Sequence, residues 1–169
     1  MVEIEAGVVT EQLQQFAESK DLYYPVDFAS AGSSQIGGNI GTNAGGIKVI
    51  RYGMTRQWIM GLTVVTGKGD ILQLNRGMVK NATGYDLRQL FIGSEGTLGL
   101  VTHAQINLER QPQDLNVMVL GMDNFNDVMN VLSAFQAKID LTAFEFFDDV
   151  AIDKLMAHGQ VQEPFESRT

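Results

Sequence analysis

The feature that most constrains this chain is a glycine-rich segment over residues 31–46. Six of the 18 glycines lie between Gly32 and Gly46, among serine, threonine and asparagine side chains. Glycine loses more conformational freedom on folding than any other residue, so such a run is unfavourable unless a close approach requires it. Without Cβ atoms, the main chain can approach a ligand and point its N–H groups at acceptor oxygens. The segment favours ligand contact, with a structural turn as the alternative.

The spacing of these glycines differs from two common phosphate-binding signatures. It contains neither the Gly-x-Gly-x-x-Gly pattern of dinucleotide-binding folds nor a loop that ends in Gly-Lys-Ser or Gly-Lys-Thr. The Rossmann and P-loop interpretations therefore lose their main support.

A second cluster of small residues spans residues 92–102. It contains Gly93, Gly96 and Gly99 together with Ser94 and Glu95, just before a long predicted strand. Backbone amides at the start of a strand can anchor the polar edge of a planar ligand. Glu95 alone is more often a local hydrogen-bond acceptor than a catalyst.

Isolated residues outside the clusters give weaker signals. Lys80 could attract an anion and Tyr85 could stack or donate a hydrogen bond, but a solvated lysine and a half-buried tyrosine are the more frequent environments. His103 is predicted to face solvent and His158 to lie at a helix C-terminus, neither in a catalytic role. Trp58 is predicted to be a core or rim aromatic residue.

Composition excludes several classes of function. The chain carries 12 Lys and Arg against 20 Asp and Glu, a net charge of −8, so no nucleic acid partner is expected. The absence of cysteine excludes disulfides and thiolate chemistry, and two distant histidines predict no metal site. No apolar run approaches the roughly 18 residues of a membrane span, and residues 1–7 do not resemble a signal peptide. A soluble, cytoplasmic protein is the expectation.

Hydrophobic periodicity predicts an α+β chain. The first part should contain a strand at residues 2–6, a helix at 10–20 with Thr10 as its N-cap, a hairpin of strands 62–66 and 71–74, helical turns at 86–92 and a strand at 98–108. In that last strand, one face should hold Leu100, Thr102, Ala104, Ile106 and Leu108. The second part should alternate strands at 115–120 and 141–147 with helices at 125–135 and about 148–157. The predicted domains are residues 1–111 and 112–169.

Several motifs together resemble the FAD-binding domain of the vanillyl-alcohol-oxidase (PCMH) type, and within it the FAD-linked D-2-hydroxyacid dehydrogenases. They are residues 25–46, 51–53, 83–87 and 93–99, and residues 144–148 and 162–166 are similar to the start of the family's substrate domain. The resemblance implies the second subdomain of the FAD-binding domain, followed by the beginning of an α+β, ferredoxin-like substrate domain. One departure is Ala82, where relatives tend to have asparagine.

The resemblance implies FAD as cofactor and hydride transfer to flavin N5 from a D-2-hydroxy acid of the 2-hydroxyglutarate, lactate or glycolate class. The family's pyrophosphate loop and its metal and base residues would lie outside this chain, so the chain alone is expected to be inactive and its catalytic residues stay unknown. The implied partners are the hydroxy acid and an electron acceptor, with a homo-oligomer as a further expectation. A non-catalytic binding or assembly module, and a flavin oxidase of another alcohol, are the alternatives.

The resemblance and the two clusters together predict a set of FAD contacts, with Lys80 and Tyr85 as weaker substrate candidates. Both clusters are loops that feed one sheet, so they should adjoin in space. The predicted FAD-contacting residues are Ser33, Ser34, Gly37, Gly38, Asn39, Thr42, Asn43, Ala44, Gly45, Glu95, Gly96, Gly99, Leu100 and Val101.

Overall fold

The computed structural model describes residues 1–159 and residue 165. The chain divides into two compact units, Met1–Gln113 and Asp114–Thr169. Helices and strands occur together, which confirms the predicted α+β class. The cofactor and substrate roles predicted for residues 1–111 and 112–169 stay predictions.

The first unit contains six strands, four α-helices and a 3-10 helix, Thr55–Trp58. The strands are β1 (Val2–Glu5), β2 (Leu22–Tyr23), β3 (Ile59–Thr66), β4 (Ile71–Leu74), β5 (Gly99–Ile106) and β6 (Glu109–Arg110). The helices are α1 (Thr10–Glu18), α2 (Ile36–Thr42), α3 (Val49–Tyr52) and α4 (Arg88–Phe91).

Four strands form an antiparallel sheet in the order β1-β5-β3-β4, and β2 pairs with β6 in a separate ribbon. The predicted hairpin is confirmed: β3 and β4 are joined by a tight turn in which Gly69 has a φ of 87°. One core is shared by the sheet and by the helices α1 and α2. Its most deeply buried apolar side chains include Leu13, Ala17, Ile36, Ile40, Val64, Ala104 and Ile106. Trp58 is also buried in this core, as predicted.

A β-bulge corrects the predicted face of β5. Thr63 pairs with His103 and Val64 pairs with Val101, so Thr102 is an extra residue opposite β3. A bulge places two residues of one strand opposite a single residue of its partner, and this reverses the alternation of side chains beyond it. The prediction that Leu100 shares a face with Ala104 and Ile106 is therefore wrong. Val101 is buried in place of Leu100, which is 70% exposed.

The start of α1 also differs from the prediction. Its N-cap is Val9, whose N–H donates to Oε1 of Gln12 at 3.2 Å, and not Thr10. The side chain of Thr10 is fully buried and hydrogen bonds to a distant segment. Thr10 has the residue type of an N-cap, but its hydroxyl is used for tertiary structure.

The described part of the second unit contains two helices, α5 (Phe125–Gln136) and α6 (Asp149–Ala157), both near their predicted positions. Each has a side-chain N-cap: Oδ1 of Asn124 accepts from Asn126 N–H at 3.0 Å, and Oδ1 of Asp148 accepts from Ala151 N–H at 2.9 Å. An edge-to-face contact joins the rings of Phe125 and Phe146, with centroids 5.2 Å apart.

The strands predicted at residues 115–120 and 141–147 are wrong, since neither segment is a strand in the described structure. A strand requires a neighbour to complete its backbone hydrogen bonds, and an apolar run does not provide one. His158 is the C-cap of α6, as predicted. The predicted motif at residues 162–166 lies outside the described residues except for position 165.

Candidate functional site

Helix α2 has one packed side and one open side. Ile36, Asn39 and Ile40 are buried. A Cβ added to Gly37 would lie only 2.8 Å from the Cβ of Ala6, so packing within the chain explains that glycine.

The open side of α2 is lined by Gly38, Gly41 and Thr42, at the i, i+3 and i+4 spacing that puts residues on one helix face. Apart from the adjoining residues and the backbone of α2 itself, a Cβ added to Gly38 or Gly41 would meet no atom within 4 Å, and neither residue needs a positive φ. Glycine inside a helix destabilises by about 0.5–1 kcal/mol relative to alanine. The fold gives no reason for these two glycines, which fits a face that a flat ligand approaches closely.

A buried hydrogen-bond network fixes α2 and the preceding loop against α1. Oγ1 of Thr10 accepts from Nδ2 of Asn39 at 2.7 Å and lies 2.8 Å from Oγ of Ser34. The side chains of Asn39 and Ser34 are thus engaged inside the chain, whereas Ser33 is exposed. Sequence reasoning missed the part that Thr10 plays here, because its type suggested a helix cap.

The two glycine clusters adjoin, as expected from their positions. Gly93 N–H donates to the carbonyl oxygen of Ile40, and Glu95 N–H donates to that of Gly41, both at 2.9 Å. The second cluster therefore lies directly beside the open side of α2. Whether the two contact one cofactor stays a prediction.

The second cluster has an unusual backbone. Gly93, Glu95 and Gly96 all have positive φ, at 82°, 53° and 74°. Such a φ is uncommon for glutamate, and residues in this region tend to cluster at functional sites. Glu95 and Gly96 are exposed, and a Cβ on Gly96 would meet nothing within 4 Å.

At the beginning of β5, most side-chain positions pack against other parts of the chain. A Cβ on Gly99 would lie 2.8 Å from Val64 Cγ1 and from the carbonyl oxygen of Val65. Val101 is buried in the core, so among the predicted residues of this strand only Leu100 presents its side chain to the outside.

The residues after α2 are held by the turn that leads into the 3-10 helix. Asn43, in the left-handed conformation, accepts at Oδ1 from Arg56 N–H at 3.0 Å. The carbonyl oxygen of Ala44 accepts from Thr55 N–H at 2.9 Å and from its hydroxyl at 2.8 Å. Gly45 would place a Cβ 3.0 Å from Cγ2 of Val49. Arg56 could not be identified from sequence, because its hydrogen-bond partners are distant along the chain.

The remaining candidates lie elsewhere in the first unit. Lys80 and Tyr85 are exposed, and Tyr85, at 95% exposure, is not the half-buried residue expected. His103 is half-buried on β5, with Nδ1 3.1 Å from the hydroxyl of Thr102. Arg88 holds the pKa of the Asp86 carboxyl below its usual range through hydrogen bonds of 2.8 Å.

Among the described residues, no group of three or more His, Cys, Asp or Glu side chains could hold a metal ion. No helix in this part of the chain is long and apolar enough to cross a membrane.

Comparisons with known proteins identify several related sequences and structures. The family described as FAD binding domain matches residues 1–75. The chain is 70% identical over 161 residues to D-2-hydroxyglutarate dehydrogenase of Stutzerimonas stutzeri, covering 95% of this chain and 35% of that protein. It is 40% identical over 162 residues to the mitochondrial D-2-hydroxyglutarate dehydrogenase of Danio rerio, covering 95% and 30%.

Two further proteins are more distant. Glycolate oxidase subunit GlcD of Bacillus subtilis is 36% identical over 166 residues, covering 98% of this chain and 35% of that protein. A solved structure of alkyldihydroxyacetonephosphate synthase superposes with a TM-score of 0.58 at 27% identity, covering 66% of this chain and 20% of the other. The chain thus spans about a third of the length of the curated relatives it matches.

Proposed function

We propose that this chain, which belongs to the FAD-linked oxidoreductases, forms part of the FAD site of an enzyme that oxidises a D-2-hydroxy acid. The relatives named D-2-hydroxyglutarate dehydrogenase make 2-hydroxyglutarate the first substrate to test. Since the chain corresponds to about a third of those proteins, the activity is proposed for the protein at its natural full length.

One observation carries the cofactor assignment: Gly38 and Gly41 form an open helix face that packing does not explain. A flat ring system can lie against such a face, because no Cβ separates it from the main chain. Thr42 is exposed on the same face, where its hydroxyl donates to the carbonyl oxygen of Gly38 at 3.1 Å. Glu95 and Gly96 border this face from the neighbouring loop.

Bound FAD would supply the acceptor for a hydride from the hydroxy acid. The residues of this chain bind and orient the ring. The exposed Glu95–Gly96 peptide offers backbone groups beside the open side of α2, and for the exposed side chain of Leu100 an FAD contact stays a proposal. The fixed geometry of this surface comes from the buried contacts of Thr10 and Asn39.

Ser33, Asn43, Ala44 and Gly45 complete the proposed contact surface on the loops around α2. For Ser34, Gly37, Asn39, Gly99 and Val101 we propose main-chain contacts or support, because their side-chain positions are taken up by packing. Lys80 and Tyr85 stay weaker candidates for the substrate.

The narrower parts of the function are also proposals. The relative named glycolate oxidase subunit GlcD leaves glycolate and lactate as alternative substrates. An electron acceptor completes the reaction, and the exposed apolar side chains of the second unit, such as Val117 at 91%, suit a homo-oligomer. The relatives include bacterial and mitochondrial proteins, and the cytoplasmic location expected from sequence stays a proposal.

The test is reconstitution of the protein at its natural full length with FAD. The absorbance of oxidised flavin should be retained after gel filtration and should fall on addition of D-2-hydroxyglutarate under anaerobic conditions. L-2-hydroxyglutarate is the matched control, and D-lactate and glycolate rank the alternatives. A folded protein that cannot retain FAD would refute the proposal, and a flavoprotein bleached by another alcohol alone would change its substrate.

A further inference from the structure

We propose that Arg56 is a positioning residue of the FAD site, which joins the end of α2 to the second glycine cluster. This inference rests on the proposed function. In this role Arg56 contacts neither the substrate nor the reacting atoms. It acts through the backbone segments that it connects.

The first connection is made by the main chain of Arg56. Its N–H donates to Oδ1 of Asn43 at 3.0 Å, across 13 positions of sequence. Asn43 ends α2 in the left-handed conformation, with φ 50° and ψ 52°. The hydrogen bond therefore fixes the side chain of the residue at which the open helix face ends.

The second connection is made by the guanidinium group. Nη2 donates to the carbonyl oxygen of Ile92 at 2.7 Å, and Nη1 donates to the carbonyl oxygen of Gln89 at 3.3 Å and to its Oε1. Ile92 is only 2% exposed, and the residue after it begins the second cluster. A buried carbonyl that loses its donor is unfavourable, so the guanidinium holds this backbone in place.

Both connections converge at Gly93. An added Cβ there would lie 3.4 Å from Nη2 of Arg56 and 3.4 Å from the Cβ of Asn43. Gly93 N–H in turn donates to the carbonyl oxygen of Ile40 in α2. Arg56 therefore lies where the two clusters meet. Its planar guanidinium group donates to the carbonyl oxygens of Gln89 and Ile92 through two different nitrogens, whereas the ammonium group of lysine has only one nitrogen.

The chain offers a matched control in Arg88. Its Nη1 also donates to a backbone carbonyl oxygen, that of Ile59, at 2.7 Å. Its other donors pair with Asp86, which also accepts from Nε2 of Gln89 at 3.2 Å. The Arg88 side chain thus reaches the Arg56 contacts only through this carboxylate and bonds to neither glycine cluster. Loss of Arg88 should therefore remove a comparable guanidinium–carbonyl contact without separating the clusters.

The experiment measures FAD affinity and thermal stability for Arg56→Ala, Arg56→Lys and Arg88→Ala in the full-length protein. In Arg56→Ala, the FAD dissociation constant should rise roughly tenfold or more, the scale of a hydrogen bond from a charged donor. Arg56→Lys should recover only part of this loss, and the flavin absorption bands of both variants should lose their fine structure. Arg88→Ala should melt earlier but bind FAD as the unmodified protein does.

Amide hydrogen exchange of the FAD-free protein tests this inference independently of the proposed function, because it does not require FAD to bind. In the Arg56 variants, the amides of Gly93 and Glu95 should exchange faster, because they bond to α2 across the junction. Unchanged exchange, full recovery by lysine, or an equal FAD loss in Arg88→Ala would each overturn the inference. If Arg56→Ala does not fold, Arg56→Lys carries the same comparison. Failure of the unmodified protein to bind FAD would instead count against the proposed function.

Discussion

Replacing Gly38 by alanine should stabilise the unliganded protein and weaken FAD binding. In the helix, alanine restricts the unfolded chain more than glycine does, which is worth about 0.5–1 kcal/mol. Outside the adjoining residues and the backbone of α2, no atom lies within 4 Å of the added Cβ, so packing does not oppose this gain. The same methyl group would separate a flat ring from the helix, at a cost of about 1–3 kcal/mol if the site cannot relax. That corresponds to a roughly 5- to 150-fold weaker affinity.

Two measurements are needed because the two effects have opposite signs. Urea unfolding of the FAD-free protein gives the free energy of unfolding, and titration with FAD gives the dissociation constant. Gly37→Ala is one control, because its Cβ would lie 2.8 Å from that of Ala6 and should destabilise the fold itself. Gly69→Ala is the other, since its φ of 87° disfavours alanine in a turn between β3 and β4.

The expected pattern is therefore specific to the open face of α2. Of these three variants, only Gly38→Ala should raise the free energy of unfolding while lowering FAD affinity. Gly69→Ala should lower the free energy of unfolding and leave FAD affinity unchanged. Unaltered FAD affinity in Gly38→Ala would refute the assignment of this face to the cofactor. A destabilised FAD-free Gly38→Ala protein would refute the reasoning about the helix.

Three further substitutions test the surrounding structure. Thr10→Val should lower the free energy of unfolding by about 1–3 kcal/mol in urea, because the buried Nδ2 of Asn39 loses its acceptor. Gly46→Ala should prevent normal folding, seen as lost thermal cooperativity, because its Cβ would overlap the carbonyl oxygen of Asp27. Asp86→Asn should lower the melting temperature at pH 7. Because Arg88 lowers the folded-state pKa of Asp86, its stabilisation is present above the unfolded pKa and is lost as pH falls through the folded pKa.

Each of these outcomes has a clear opposite. A Thr10→Val protein as stable as the unmodified one would show that the network contributes nothing net. Normal melting of Gly46→Ala would mean that the loop shifts freely, and a pH-independent effect of Asp86→Asn would remove the Arg88 pairing as its cause.

Much of the first unit could be predicted because it depends on local patterns. Alternating residues predicted β1, and turn glycines between two apolar runs predicted the hairpin of β3 and β4. The two glycine clusters were predicted to adjoin because both are loops that lead into the same sheet. These signals are contained in short windows of sequence.

The features that sequence missed depend on distant partners. The bulge at Thr102 is defined only by pairing with β3, so an ordinary alternating strand gave no warning of it. Residues 115–120 and 141–147 have the composition of strands, but a strand also requires a neighbour. Likewise, the proposed role of Arg56 rests on hydrogen bonds to the carbonyl oxygens of Gln89 and Ile92, which lie 33 and 36 positions further along the chain.

The order of strands in the four-stranded sheet has a consequence for synthesis. Strand β1 pairs with β5, and Gln105 donates to Glu3 across 102 positions of sequence. Strand β1 thus has no partner in this sheet until β5 has been made, roughly 5–20 s later at about 5–20 residues per second. The hairpin of β3 and β4 can form during that interval, since its two strands are neighbours in sequence. For those seconds, β1 is an unpaired strand edge on the nascent chain, which another chain can capture.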